Sequence, residues 1–416
     1  MAKKEESRVA SPHAHFFDSG SFTLWTRAEK YGQEHGGKEW EFYETDEFYE
    51  YLNGYVEFVK KYRIGIDLCA NVDVLPFRGA KKPPKGKDSH TLSYKHLKLL
   101  EGKGLRPVPV VHYKASMDWL VKYINEGYPL IGLGGLVGSI SDLSCAKWID
   151  RCFDIVCQDD GHPCVKLHGF GVTSHEFLLR YPWYSVDSTT WTKHGAYGHI
   201  LVPRERRGEF ILSPDDLERV GLPRDRWHQD CQPWLVTMSE DSGKRKIAGA
   251  LHYLVLRGNE KKTVERWLDF IGIPLGNETT KAEGVITNHN YRRSANLFFF
   301  EEVRKHLPDY HSWKWETSQR KGFGLNSPPP IIQPPPREFH APASKKLIIF
   351  YSGSASTRSG PEADLKKNAN IMLTFHDMHK SGKPDARFRR VVAARKRRNK
   401  KLKLQGKSVR SRLACE

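Results

Sequence analysis

The sequence predicts an α/β protein whose parallel strands are joined by crossover helices, and three observations predict it. Short apolar or β-branched runs alternate with longer helix-like segments at βα spacing as far as residue 187. The 416 residues are too many for one small domain but suit a barrel of ~250 residues with additions. A composition of 38% hydrophobic and 12% aromatic residues, with 11 Trp and 17 Tyr, supplies a large packed core and separates the chain from disordered sequences.

Strands are expected at Ala14–Asp18, Ile64–Ala70, Pro107–His112, Leu130–Gly134, Phe153–Cys157, Val165–Gly169 and Trp183–Asp187, each a short apolar run. Helices are expected between them at Glu47–Tyr62, where Phe48, Tyr51, Tyr55 and Phe58 recur at helical spacing, and at Ser116–Asn125, Ser141–Arg151 and His175–Arg180. Residues 188–275 change character, being rich in Trp, Pro and charge, with a helix expected over Lys261–Ile271 and another over Tyr291–His306. Ser327–Pro336 holds six prolines in ten residues and reads as an extended linker, because proline sustains neither helix nor central strand. Lys346–Tyr351 is a further apolar strand. The organisation expected is a main unit over 13–275, a helical extension over 276–326, the linker at 327–336, a segment over 337–379 whose strand returns to the main unit, and a tail over 380–416.

The formal net charge is +18, and it is unevenly spread: Lys380–Arg412 holds fifteen Lys or Arg, with Asp385 and Glu416 the only acids from Lys380 onward. Such a tail reads either as a phosphate-binding arm or as a solvated segment that aids solubility. No apolar run is long enough to span a bilayer, and Met1–Pro12 lacks the apolar stretch of a signal peptide, so a cytoplasmic protein is expected, with no membrane partner. Seven scattered Cys, an odd number, fit reduced thiols better than a disulfide framework.

Five short motifs carry candidate chemistry. His15–Phe22 runs from a strand into a Ser/Gly turn with Asp18 at the strand end, and Trp183–Thr189 places Asp187 likewise; in a βα barrel such carboxylates face the active-site mouth, although each also reads as a turn or helix cap. Two of them on one pocket suit displacement at an anomeric carbon, one attacking and the other moving the proton. Tyr128–Gly138 is glycine-rich at Gly132, Gly134, Gly135 and Gly138, which either admits a flat ligand or forms a plain turn; it lacks the dinucleotide-binding spacing. Lys166–Val172 offers His168 and Gly169, the histidine being either a substrate contact or a core residue. Ile66–Asp73 carries Asp67 and Asp73, and a carboxylate at Asp73 suits the paired N1–H and N2–H donors of guanine.

In this order the motifs resemble those of the tRNA-guanine transglycosylase family. Asp18-Ser19-Gly20-Ser21-Phe22 resembles the family's Asp-Ser-Gly-Gly-aromatic motif; Asp67 to Asp73 its pair of Asp residues; Gly132 to Leu136 its glycine-pair loop; Leu167 to Gly171 its Leu-Met-Gly-Val-Gly turn; and Asp187 falls near its nucleophilic Asp. The resemblance implies a TIM-like (β/α)8 barrel with C-terminal additions, Asp18 as general acid/base and Asp187 as nucleophile. It also implies a base pocket formed by Ser19, Gly20, Phe22, Asp73, Gly134, Gly135, Leu136, His168 and Gly169, with Phe22 stacked on the base.

The departures shape the reading. The family's Cys-x-Cys-x-x-Cys zinc cluster is absent, since only Cys231 and Cys415 follow Asp187, and His112 stands near the place of a base-reading Gln. The chain begins close to the Asp18 strand, and the eighth strand of a barrel falls to Lys346–Tyr351. This shortened form looks most like the DpdA-type transglycosylases that insert 7-deazaguanine derivatives into DNA. The expectation is therefore exchange of guanine for a 7-deazaguanine base in DNA without metal or organic cofactor. Phosphates would be held by Arg204, Arg206 and Arg207 and by Arg395, Lys396, Arg397 and Arg398 of the tail. A homodimer is compatible with it. The alternatives are the same exchange on tRNA, a glycosylase that uses water, and a nucleic-acid-binding protein without activity.

Overall fold

The computed structural model describes residues 16–62, 68–79, 81–136, 143–157, 160–172, 174–239, 251–308, 310, 313–315 and 349–350. Strand β1 (Phe16–Phe17) leads through helix α1 (Ser21–Glu34), a 3₁₀ turn (Glu39–Glu44) and α2 (Asp46–Lys61) to β2 (Leu68–Ala70). There follow α3 (Ser89–Gly102), β3 (Pro107–Val108), β4 (Val110–His112), α4 (Met117–Asn125), β5 (Leu130–Gly134), α5 (Leu143–Val156), β6 (Lys166–Gly169), α6 (His175–Arg180) and β7 (Ser185–Asp187). The chain continues through α7 (Thr190–Ala196), β8 (His199–Val202), β9 (Arg204–Arg206), β10 (Glu209–Ile211), α8 (Pro214–Arg219), α9 (Trp227–Asp230), β11 (Trp234–Thr237), β12 (Leu251–His252), α10 (Gly258–Phe270) and α11 (His289–His306) to β13 (Ile349–Phe350). This is a mixed α/β fold with parallel sheets. Among the described residues no helix is long and apolar enough to cross a membrane.

Two parallel ladders form the centre, β1–β2–β3 and β4–β5–β6–β7–β13. They meet at Pro109, whose missing N–H interrupts the strand expected over 107–112, while its carbonyl accepts the Gly132 N–H at 2.8 Å. Period-2 alternation sorts the side chains. Phe16, Leu68, Val108 and Leu130 share one cluster with Tyr184, whereas Val111, Ile131, Leu133, Leu167 and Val186 face the helices. Phe16 on β1 meets the His168 ring on β6 at 4.7 Å, although β2 to β5 lie between them in strand order. The two ladders therefore turn faces toward each other, and residues from distant strands meet between them.

Helix α2 forms because its apolar positions repeat every three to four residues and its ends are capped: Thr45 accepts the Phe48 N–H, and Lys60 and Lys61 lie in the last turn. It buries Phe48, Leu52, Tyr55 and Val56, and Phe17 stacks between Tyr55 at 5.7 Å and Phe58 at 4.8 Å, which fixes the outward face of β1.

Several elements differ from the sequence expectation. Phe153–Cys157 is no strand; it is the end of α5 and the residue after it, with Phe153 and Val156 both buried one helical turn apart. Short apolar runs are ambiguous between buried helix and buried strand, and here the amphipathic pattern of the preceding residues carried the helix through. Helices α1 and α3 were not anticipated. Residues 199–252 hold a second sheet, in which β8 runs antiparallel to β11 and β12 parallel to it. The strand expected over 346–351 is present at Ile349–Phe350 and pairs in parallel with β7. The linker at 327–336 and the tail from 380 lie outside the described residues.

Asn296 of α11 joins this second sheet to α7: its Oδ1 accepts the Leu201 N–H at 2.7 Å, and its Nδ2 donates to the carbonyls of Trp191 and His199, each at 3.1 Å. With Asn296 fully buried, Asn296→Leu leaves those three backbone groups without partners and is expected to destabilise the protein by about 2–3 kcal/mol, read as a lower urea midpoint at unchanged slope.

Candidate active site

The strands of the two parallel ladders end, at their C-terminal edges, in polar residues. Asp18 follows β1 in the register of inward-facing Phe16, and Asp187 ends β7 in the register of Ser185. His112 ends β4, Gly134 ends β5, and Asp73 lies three residues beyond β2. Carboxylates at such ends point into the mouth of a parallel α/β structure, where loops leave the chain room for a ligand.

Neither carboxylate is a helix cap. The residue capping α1 is Gly20, held at φ +70° with no side-chain cap bond, and Asp18 Oδ1 merely accepts the Gly20 N–H at 3.3 Å. The residue capping α7 is Thr189, and Ser188 Oγ accepts the Thr190 N–H, so Asp187 is not used there. Its Oδ1 accepts instead from Gly171 N–H at 2.5 Å, a donor that the turn after β6 presents because Gly171 holds φ +70°.

Both acids are pushed above the ordinary carboxylate range. Asp18 rises to about 6 through burial first and the charge of Asp73 second. Asp187 rises to about 7 through burial, partly offset by the Gly171 N–H, with the charge of Asp18 raising it further. The charge of Asp18 therefore reaches Asp187.

The residues around them are mutually bonded. Asp73 accepts from Ser21 Oγ at 2.7 Å on one oxygen, and its other oxygen lies 2.6 Å from His112 Nε2. Ser19 and Ser21 hydroxyls are 2.7 Å apart, and Tyr51 Oη donates to the Ser19 carbonyl at 2.7 Å. His168 is fully buried, with Nδ1 at 2.8 Å from Ser185 Oγ and Nε2 at 3.9 Å from Asp187 Oδ1; burial lowers it to about 3, so it is a neutral ring. Phe22 is 65% exposed beside these groups, tilted against Trp25 at 5.5 Å.

The glycines are explained by packing as much as by access. A Cβ at Gly134 would lie 2.9 Å from His112 Nδ1, and one at Gly132 would overlap the Phe170 ring. A Cβ at Gly169 would press on Val172 and Trp183. Gly135, exposed and at φ +70°, is the position in this turn that needs glycine for its backbone. Leu136 turns its side chain into the main core. Phe170 and Tyr51 were missed from the sequence. Tyr51 lay in plain view on the aromatic face of the expected helix, while nothing in the local pattern marks Phe170.

The three arginines expected to hold phosphate are largely occupied within the protein. Arg204 donates to the Gln232 carbonyl and lies over Trp234, Arg206 pairs with buried Asp230, and Arg207 donates to the Val220 carbonyl at 2.6 Å. The Arg-rich sequence in 204–207 lies on the hairpin of β9 and β10, where these bonds brace it while Arg207 stays exposed. Asp67 and the tail residues Arg395, Lys396, Arg397 and Arg398 lie outside the described residues. No group of three or more His, Cys, Asp or Glu among the described residues is placed to hold a metal.

Compared with known proteins, the chain matches no family model, no curated protein and no solved structure.

A carboxyl whose folded pKa is raised binds its proton more tightly in the folded chain, so its contribution to stability declines as pH rises from the unfolded value near 4 through the folded one. Asp187→Asn is therefore expected to be more stable than the parent at pH 8, by about 1–4 kcal/mol, with the difference gone at pH 4. Denaturant melts of both proteins at the two pH values check this; an equal difference at both would remove the titration as its cause.

Proposed function

We propose that this protein is a guanine transglycosylase acting on DNA, built on a TIM-like (β/α)8 barrel of which β1, β2, the strand broken at Pro109 into β3 and β4, β5, β6, β7 and β13 supply seven positions of the inner wall. The observation that carries the reading is the pair Asp18 and Asp187, at the C-terminal ends of β1 and β7, both held above the ordinary carboxylate range, with the charge of Asp18 among the causes at Asp187. The contact of Phe16 with His168 across the interior supports the barrel. The order of the five motifs, in this frame, supports guanine as the base.

In the first step the Asp187 carboxylate attacks C1′ of a target nucleotide taken out of the stack. The C1′–N9 bond breaks, its electron pair passes to the departing guanine, and Asp18 gives that base its proton. A covalent glycosyl ester on Asp187 results. In the second step an incoming 7-deazaguanine loses its N9 proton to the Asp18 carboxylate, N9 attacks C1′, and Asp187 leaves as carboxylate. Two inversions give overall retention, as in retaining glycosidases. The first step needs Asp18 protonated and Asp187 ionised, and the second begins with Asp18 ionised and Asp187 esterified; because Asp187 holds a proton more tightly than Asp18 in the free protein, that proton passes to Asp18 before the attack.

The remaining groups orient the base. Phe22, exposed and braced by Trp25, offers a stacking face. Asp73, steadied by Ser21 and His112, accepts from the guanine N1–H and N2–H edge through the lone pairs these partners leave over. The backbone at Gly134 and Gly135 completes the pocket.

Exchange of labelled guanine into DNA and into tRNA, assayed side by side, tests the function: incorporation into DNA is expected, and incorporation into tRNA alone would transfer the reading to the RNA substrate. Asp187→Ala is expected to lose both exchange and any trapped protein–DNA adduct while retaining DNA binding; exchange at the parent rate would end its assignment as nucleophile. The pH profile of kcat/KM is expected to be bell-shaped with limbs near pH 6 and 7, and a flat profile over pH 5–8 would contradict both raised values.

A further inference from the structure

Between Asp73 and α3 the chain carries a run that neither the mechanism nor the motifs account for. Arg78, Lys81, Lys82, Lys85 and Lys87 fall within ten residues that hold no acid. Arg78, Lys81, Lys82 and Lys85 are exposed, and no carboxylate among the described residues pairs with Lys81, Lys82 or Lys85. Lys87 is held by Glu44 at 2.7 Å, and Arg78 touches Glu29 only at 4.0 Å.

The run is held in shape. Pro83 and Pro84 restrict its backbone, the Lys87 N–H donates to the Pro84 carbonyl at 3.0 Å, and the Arg78 N–H donates to Glu39 at 3.2 Å. It is also fastened to the candidate site. Trp25 Nε1 donates to the Pro76 carbonyl at 3.3 Å, the Arg78 guanidinium lies 4.3 Å over the Trp25 ring, and exposed Phe22 leans on the same indole. Phe22, Trp25 and Arg78 therefore touch in series, and the lysines that follow Arg78 in the chain carry the positive charge on, Lys81 lying beside Gly36 and Gly37 past the far end of α1, with no described carboxylate pairing Lys81, Lys82 or Lys85.

We propose that Arg78, Lys81, Lys82 and Lys85 form the surface that holds the sugar-phosphate backbone of the nucleic-acid strand flanking the target nucleotide, whose base stacks on Phe22. This rests on the reading above that the substrate is a nucleic acid. It also supplies what Arg204, Arg206 and Arg207 do not, because those side chains donate to protein partners. Cations that line a groove and aromatic faces that meet bases are the two parts a single strand requires.

The test uses the full chain, tail included, with Lys81→Gln, Lys82→Gln and Lys85→Gln combined; all three side chains are exposed, and circular dichroism checks the fold. Binding of a fluorescein-labelled single-stranded DNA is followed by anisotropy across a salt series. The expected result is a Kd raised about tenfold or more at low salt and a slope of log K against log salt smaller by about 2, since every single-strand phosphate left without its lysine takes roughly 0.7 from that slope. An unchanged Kd and slope would overturn the proposal by leaving all the affinity to other surfaces. So would binding of the parent to phosphatidylserine vesicles without binding to the oligonucleotide. A parent that binds DNA through these lysines yet exchanges no base would uphold this surface and reject the transglycosylase reading, so the two fail separately.

Discussion

The rest of the structure is arranged around the cost of holding two carboxylates, buried Asp187 and half-buried Asp18, at strand ends where neighbouring acids add their charge. Burial alone lifts Asp18 and Asp187 well above an ordinary aspartate, and the charges of neighbouring acids, Asp73 on Asp18 and Asp18 on Asp187, lift them further. Each pKa unit corresponds to about 1.4 kcal/mol of preference for the protonated form, so a chain free to relax would turn these side chains outward. It is not free to relax. Inward alternation on β1 and β7 fixes where the two carboxylates stand, and Gly171 supplies Asp187 with a backbone donor that water would otherwise replace.

The supports lie one layer further out. The Tyr55 hydroxyl donates to the Ala70 carbonyl at 2.7 Å and that of Tyr51 to Ser19, so α2 holds the ends of both β1 and β2. From α3, Ser93 Oγ accepts the Val74 N–H at 2.8 Å, the Ser93 carbonyl accepts from Asn71, and His96 Nδ1 lies 3.0 Å from the Val72 carbonyl. The segment that presents Asp73 is thus bonded along its length to a helix. This is how a short strand of three residues positions a side chain well beyond its own end: its exit loop behaves as a fixed part of the scaffold. Proximity of reacting groups depends on such fixed loops, since small misplacements are costly to rate.

What could be read from the sequence follows the strength of the local signal. Leu130–Gly134 and His175–Arg180 have their expected bounds, since a wholly buried strand and a short helix bounded by turn residues each leave a distinct pattern. Phe153–Cys157 looked like such a strand, yet its apolar residues belong to a helical face that begins at Leu143. The acids at strand ends were legible as candidates, but the charge of one reaching the other was not, because it depends on how the two ladders face each other. The glycines near the site were legible as a cluster while their reason was not: His112, Phe170 and Trp183 fill the space from elsewhere in the chain. The partners of the arginines at 204, 206 and 207 were not legible for the same reason, as Asp230 and two carbonyls come from distant positions.

The central claim is electrostatic, and it can be measured without any substrate. Carbon-13 NMR of carboxyl-labelled aspartate, with Asp187 assigned through its own Asn variant, follows its ionisation in the parent and in Asp18→Asn. An Asp187 that titrates near 7 in the parent and at lower pH once the Asp18 charge is gone is the predicted result. An Asp187 that titrates near 4 in both proteins would contradict it, for then Asp187 would neither be raised by burial nor feel the charge of Asp18.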